Sequence, residues 1–219
     1  MFKYKLSTLF FFILMLCTIT FVKAENYNPI LIGKIIYIDP GHGGLDPGAI
    51  YKDIKESELN LKISEKLKNE LEKYGATVYM TRIGNYDLSE NNAYNKKRSD
   101  LTARARIINE SLCDLFISIH LNSETTASWN GAQVFYTMKN KNNKKIAEIL
   151  QTLFKENLNT KRETKNIKNT YLYEKITRPG VLVEAGFISN PNDRYLLKQE
   201  EHQQKIAALI TKGIIIYLN

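Results

Sequence analysis

Apolar residues recur along the chain in two distinct periods, and the alternation between them outlines the fold. KIIYID at Lys34–Asp39 is a short, nearly continuous apolar run, the pattern of a buried strand. From Glu56 onward Leu59, Ile63, Leu67 and Leu71 return every four residues, the spacing of one helical face, until Gly75 ends the run. Thr77–Thr81 predicts a second strand, and the polar, Asn- and Lys-rich stretch 84–98 a surface loop. Asp100 has the chemistry of an N-cap for a helix ending near Glu110. LFISIH (Leu115–His120) and AQVFYTM (Ala132–Met138) read as further strands, and Lys144–Leu158 as an amphipathic helix. Thr160–Thr170 is lysine-rich and predicts a solvated loop, and Val181–Glu184 a strongly apolar strand. His202–Leu218 closes the chain as a helix with Ile206, Leu209, Ile210 and Ile214 on one side. Strands alternating with helices of this length predict a single α/β domain whose sheet is covered on both faces.

The first residues stand apart. MFKYKLSTLFFFILMLCTITFVKA sets Lys3 and Lys5 before an apolar run from Leu6 to Val22, and Val22-Lys23-Ala24 has the form of a small-x-small cleavage site. Residues 1–24 therefore read as a secretory signal peptide, with an N-terminal membrane anchor as the alternative, since a bilayer span needs ~20 apolar residues. A lipoprotein signal fits less well, because Leu16 precedes Cys17. Either reading sends residues 25–219 out of the cytoplasm. Removal of 24 of the 219 residues leaves 195, enough for one well-buried domain. It also removes Cys17, so Cys113, beside LFISI, is expected to be a small core residue.

Charge narrows the partners. The chain carries 31 basic and 23 acidic residues, a net +8, and with Lys3, Lys5 and Lys23 removed the excess is five. A modest positive excess suits an anionic partner such as a wall polymer. No dense basic block argues for nucleic acid.

Three strands end on groups that can do chemistry, where active sites of open α/β sheets collect. KIIYID runs into PGHGG with His42, LFISIH ends on His120, and VLVE ends on Glu184. His202, the remaining one of three histidines, lies in the polar run QEEHQQ and is expected to be exposed. Catalytic zinc takes three protein ligands of His and carboxylate type and keeps a position for water. His42 and His120 supply two, and DIKESE offers Asp53, Glu56 or Glu58 as a third, a choice that spacing leaves open. Each has a plainer reading: His42 as part of a turn, His120 as a satisfied strand-end residue, Glu56 as a partner of the helix dipole. Glu184 resists one, because it stands in the apolar run VLVEAGF, where an unpaired carboxylate costs several kcal/mol. A zinc site with Glu184 as general base forms an economical hydrolytic mechanism.

At these residues the chain resembles a known family. IYIDPGHGGLDPGAI, KESELNLKIS, DLFISIHLNS and VLVEAGFISNP occur in the order and rough spacing of the zinc-dependent N-acetylmuramoyl-L-alanine amidases (amidase type 3). The resemblance runs from about Lys34 to the C-terminus and implies a mixed, mainly parallel central sheet flanked by helices. It also implies Glu56 as the third ligand beside His42 and His120, one Zn2+ per chain, Glu184 as the catalytic glutamate, and Asn122 as a supporting position at the substrate. Arg82 and Arg104 match recurrent arginines with an expected structural role. The implied reaction is hydrolysis of the amide between N-acetylmuramic acid and L-alanine in peptidoglycan. TRIGNYDL, YNKKRSDL, RARIINES and WNGAQVFY are similar to the sporulation-associated amidases. These strip stem peptides from spore cortex, so that a muramic-acid deacetylase can form muramic δ-lactam. Gly180 and Ala185 depart slightly from the family pattern. A three-ligand site on loop-borne residues, without a wall-targeting domain, further predicts an activating partner protein. The rival readings are another zinc peptidase or deacetylase of the wall, and an inactive peptidoglycan-binding regulatory module.

Overall fold

A computed structural model describes residues 29–219, so the expected signal peptide or anchor lies outside the described residues. Six strands form one sheet: β1 (Ile35–Pro40), β4 (Thr77–Met80), β5 (Leu115–Asn122), β6 (Gln133–Tyr136), β7 (Lys165–Asn166) and β8 (Gly180–Phe187). Their spatial order is β4-β1-β5-β8-β6-β7. β6 runs antiparallel to β8, and the other pairings are parallel. A separate two-stranded hairpin, β2 (Ile50–Tyr51) and β3 (Ile54–Lys55), follows the PGHGG turn. The helices are α1 (Glu56–Lys73), α2 (Lys96–Glu110), α3 (Asn143–Asn157), α4 (Tyr171–Lys175), α5 (Pro191–Leu197) and α6 (Glu200–Leu218). The mixed, mainly parallel sheet with helices is the expected fold class.

The period-two alternation of the strands divides the sheet into two unlike faces. On one face Ile36, Ile38, Ile117, Ile119, Val181 and Val183 join α1, α3 and α6 in the main core. On the other, Tyr37, Phe116 and Leu182 pack against Ala105 and Ile108 of α2 and against Leu172 and Tyr173 of α4. Cys113 belongs to this second cluster, buried as expected. Continuing the alternation along the same strands, Asp39, Ser118, His120 and Glu184 follow on the second face. The apolar half of that face is packed and the polar half forms the site.

Several local expectations are corrected. Asn95, whose side chain accepts from the Arg98 N–H at 2.9 Å, caps α2, and Asp100 lies inside the helix. There Asp100 accepts from the Leu88 N–H at 2.8 Å and from Arg104, so its carboxylate serves tertiary contacts rather than a cap. α6 begins at Glu200, and His202 on its first turn is half-buried rather than exposed, its pKa held down by burial and by Lys205. α4 and α5 and the short strands β2, β3 and β7 were not anticipated, since none is long enough to show a period. α5 did carry a start signal: Asn190 accepts from the N–H groups of Asn192 and Asp193, with Pro191 opening the helix.

Gly180, where the family pattern favours alanine, has a local cause. A Cβ there would stand 2.2 Å from the Phe116 ring and 2.3 Å from its carbonyl oxygen, which is backbone and cannot step aside. Gly180→Ala is therefore expected to destabilise the chain by about 1–3 kcal/mol. Denaturant unfolding checks this, and unchanged stability would show that the contact relaxes freely.

Candidate metal centre

Construction of the site begins with the turn after β1. His42 sits at φ 62°, a left-handed conformation uncommon outside glycine, and the turn around it is held by two buried arginines. Arg82, 1% exposed, donates from Nε to the Pro40 carbonyl at 2.9 Å and from Nη2 to the Gly41 carbonyl at 2.9 Å. The same Nη2 reaches the Ser57 carbonyl at 2.8 Å, tying the turn to the first residues of α1. Arg104, also 1% exposed, donates to the Pro40 carbonyl at 2.8 Å and to the His42 carbonyl at 2.7 Å. Its charge is balanced by Asp39 at 2.8 Å and Asp100 at 2.9 Å. Asp39 also accepts from Thr81 at 2.7 Å and Ser118 at 2.8 Å, so every partner of this buried acid is polar. Burial alone would raise the Asp39 pKa, but the Arg104 charge and the Thr81 hydrogen bond hold it below the usual range. The expected structural role of both arginines is what the contacts show.

With the turn held, three side chains from separate elements converge. His42 comes from the turn, Glu56 from the first position of α1, and His120 from β5. Glu56 Oε1 lies 3.1 Å from His42 Nε2 and 3.0 Å from His120 Nδ1, and the two imidazoles meet edge to face at 4.8 Å between centroids. One nitrogen or oxygen from each of the three lies within 4.8 Å of the others, so among the described residues this group could hold a metal ion. Asp53 and Glu58 are exposed, and Glu58 pairs with Lys55 at 3.4 Å, outside the group. Two of the three candidate ligands thus stand on a helix and a strand, which corrects the expectation of a loop-borne site.

Glycine makes this convergence possible. A Cβ on Gly41 would lie 2.2 Å from the His120 ring, and one on Gly48 2.6 Å from Glu56 Oε2. Both glycines let backbone pass where a side chain would displace a candidate ligand.

The surrounding contacts orient each member. Asp46 accepts at 3.0 Å from His42 Nδ1, leaving Nε2 facing Glu56. A carboxylate behind a histidine in this way fixes the ring and raises its basicity. Asn60 donates to the Gly41 carbonyl and to Glu56 Oε1, each at 3.3 Å. Glu56 further accepts from the N–H groups of Leu121 at 3.1 Å and Ala49 at 2.9 Å. Burial would raise its pKa, but hydrogen bonds with His120 and His42 overcome this and hold it far below the carboxylate range. Burial likewise opposes protonation of His42, but Glu56 and Asp46 outweigh it and raise its pKa. Sequence reasoning missed Asp46 and Asn60. Asp46 stands four residues past His42 in the same turn, and Asn60 one helical turn past Glu56, spacings that could have marked both.

Glu184 stands opposite His120 in the β5–β8 register, and Gln133 stands opposite Glu184 on β6. Glu184 Oε2 is buried and has no hydrogen-bond partner among the described residues. Burial, with the Glu56 charge adding to it and His42 opposing, pushes the Glu184 pKa up to about 8. Asn122, two residues beyond His120, sits half-buried where the β5–β8 register shifts, and its carbonyl accepts from Ile188 at 2.9 Å.

The sheet, the His-Glu-His group and the lone buried carboxylate beside it describe a hydrolase-type metal site on an α/β scaffold, and comparison with known proteins agrees. Residues 36–215 match the N-acetylmuramoyl-L-alanine amidase family, and the chain belongs to that family. It is 40% identical over 215 residues to the germination-specific N-acetylmuramoyl-L-alanine amidase of Bacillus subtilis, covering 95% of this chain and 91% of that protein. The CwlD amidase of Clostridioides difficile, solved in complex with the GerS lipoprotein, superposes with a TM-score of 0.80 at 36% identity, covering 84% of this chain and 98% of that one. An N-acetylmuramoyl-L-alanine amidase from Clostridium difficile 630 gives a TM-score of 0.76 at 29% identity, covering 84% and 96%.

The raised pKa of Glu184 sets the direction of a stability test. In the unfolded chain this carboxyl ionises near 4.5, and in the folded metal-free chain near 8, so between these values the native state binds the extra proton. Stability therefore falls relative to a neutral isostere as pH rises through that window, and levels off above it. Melting curves in chelator should show Glu184→Gln gaining on the parent between pH 5 and 8, with a constant gap above. A gap independent of pH would contradict the assignment.

Proposed function

We propose that the chain is a zinc-dependent N-acetylmuramoyl-L-alanine amidase, with His42, Glu56 and His120 as metal ligands and Glu184 as general base. The reading is carried by Glu184 Oε2, an unpaired buried oxygen beside a group of two imidazoles and a carboxylate. That donor set is the one catalytic zinc uses, and the residues fit the ion. A Zn2+ held there supplies Lewis acidity that acidifies water and polarises a carbonyl.

The chain's own residues do the remainder. Asp46 and Asn60 hold His42 and Glu56 in place for the ion. Glu184 Oε2 accepts the proton of the attacking water and returns it to the alanine nitrogen as the lactyl amide opens. Glu184, whose pKa burial raises in the metal-free chain, would be favoured in its charged form, the form that accepts a proton, by a cation held beside it. Asn122, at the end of β5, contributes a polar group on the substrate side.

The substrate is peptidoglycan, and the chain cuts it on the extracytoplasmic side. The B. subtilis relative is named for germination, and this supports removal of stem peptides from spore cortex on the route to muramic δ-lactam. Such a step leaves muramic acid bare for a deacetylase, so functional pairing with that enzyme follows. CwlD was solved with a lipoprotein, and this supports a partner protein for the present chain. Residues 1–24 then deliver the domain as a cleaved signal peptide or as an anchor, in the cell wall or the forespore intermembrane space. Among the described residues no helix is long and apolar enough to cross a membrane. N-terminal sequencing of the exported protein decides between the two, reading Glu25 after cleavage and Met1 with an anchor.

Zinc content and peptide release from purified peptidoglycan, measured together, test the reaction. The parent is expected to release stem peptide and leave intact glycan, and Glu184→Gln to keep its zinc while losing release by about 100-fold or more. Release undiminished in the variant would remove Glu184 from the mechanism, and cleavage within the peptide would make the chain a peptidase.

A further inference from the structure

Beyond Glu184 the site face continues toward β6 and β7, and this side carries positive charge that the metal site does not use. In β6, Gln133 is the register partner of Glu184. Directly opposed residues of an antiparallel pair point to the same face, so both side chains lie on the site face. Gln133 Nε2 donates to the Glu163 carbonyl at 2.7 Å, which brings segment 159–169 to the flank of the site. That segment carries Lys161, Arg162, Lys165 and Lys168, and its one acid, Glu163, is already paired with Lys155.

Arg162 is the fixed member of this group. Its guanidinium lies 4.5 Å from the centroid of the Trp129 ring and 4.8 Å from that of Phe187, three residues past Glu184. Its Nε donates to the Asn130 carbonyl at 3.0 Å. Among the described residues it forms no ion pair. The cleft it lines with Ser128, Asn130, Asn159 and Lys161 is open and polar, with Trp129, 49% exposed, beside it. A guanidinium held by stacking and by one Nε bond, with no acid to neutralise it, is prepared for bidentate contact with a carboxylate.

Resting on the amidase reading, we infer that Arg162 is a substrate-binding residue that takes the free α-carboxylate of the second, γ-linked D-glutamyl residue of the stem peptide. The leaving nitrogen belongs to L-alanine at Glu184, and the next carboxylate lies one residue further along the peptide. Phe187, on whose ring the Arg162 guanidinium stacks, follows Glu184 by three residues of β8, roughly 10 Å along the strand, a span bridged by the Glu184 side chain, one extended residue of the stem and the arginine fork together. The cationic flank then receives the anionic peptide. A glutamyl unit whose α-carboxyl is amidated lacks the charge and binds less well.

The test uses two N-acetylmuramoyl-L-Ala-γ-D-Glu-L-Lys peptides that differ only in a free or an amidated glutamyl α-carboxyl. Each is titrated calorimetrically into the zinc-loaded full chain carrying Glu184→Gln, so that turnover does not interfere. The free acid is expected to bind about tenfold tighter or better, the worth of one charge-assisted contact. Adding Arg162→Gln should bring the acid down to the affinity of the amide and leave the amide unchanged. If that variant fails to fold, Arg162→Lys, which keeps the charge and loses the fork, should narrow the preference. Equal binding of both peptides without the arginine change, binding of neither, or a preference undiminished by replacement of Arg162 overturns the assignment. Stem-peptide release by the parent chain reports separately on the amidase, so failure of one reading is distinguishable from failure of the other.

Discussion

The site depends on two buried guanidinium groups gripping the backbone of Pro40–His42. Arg82 and Arg104 between them occupy the three carbonyls of this turn, and only Arg104 has acids in direct contact. Burial and the like charge of Arg104 pull the Arg82 pKa down to about 10, so it remains a cation, held mainly by carbonyl dipoles. Arrangements of this kind stand or fall together: deleting one partner of a buried charged pair costs about 3–5 kcal/mol, because the other is left without compensation. The left-handed backbone at His42, the seat of His120 against Gly41, and the approach of Ser57 to Arg82 all follow from this clamp.

The clamp works because of the way the sheet divides its faces. The main core, made with α1, α3 and α6, stabilises the domain and leaves the ends of the other face to polar residues. On that face Asp39, Ser118, His120 and Glu184 succeed apolar residues of the same strands, so the register that packs Tyr37, Phe116 and Leu182 also aligns the chemical groups. A one-residue slip would turn each of them into the apolar core. Catalytic geometry and folding specificity thus share one constraint.

Much of this was legible in the chain because long elements show their period. The four-residue spacing of Leu59 to Leu71 located α1, and the short apolar runs located β1, β5 and β8, although β5 and β8 continue past His120 and Glu184, which were expected to end them, and His42 lies in the turn beyond β1. The ends of elements were less legible. Asp100 looked like a cap because aspartate favours caps, but a buried arginine one turn on claimed it, and that partner is visible only in three dimensions. The choice among Asp53, Glu56 and Glu58 rested on family resemblance, since all three stand near the same turn; the fold separates them by burying only Glu56 among the histidines. Asp46 and Asn60 act through hydrogen bonds at and across the turn, which no periodicity records. The role of segment 159–169 was hidden for a similar reason: a lysine-rich stretch reads as solvated surface until Gln133 is seen to bind it beside Glu184.

The central claim is that the clamped turn presents His42 to Glu56 and His120 as a three-residue metal site. X-ray absorption at the zinc edge of the loaded chain tests it most directly, read beside Glu56→Ala and His120→Ala. The account predicts a four-coordinate ion with two imidazoles, light-atom ligands only, and loss of stoichiometric zinc in both variants. A sulfur ligand, or undiminished zinc in either variant, would contradict it.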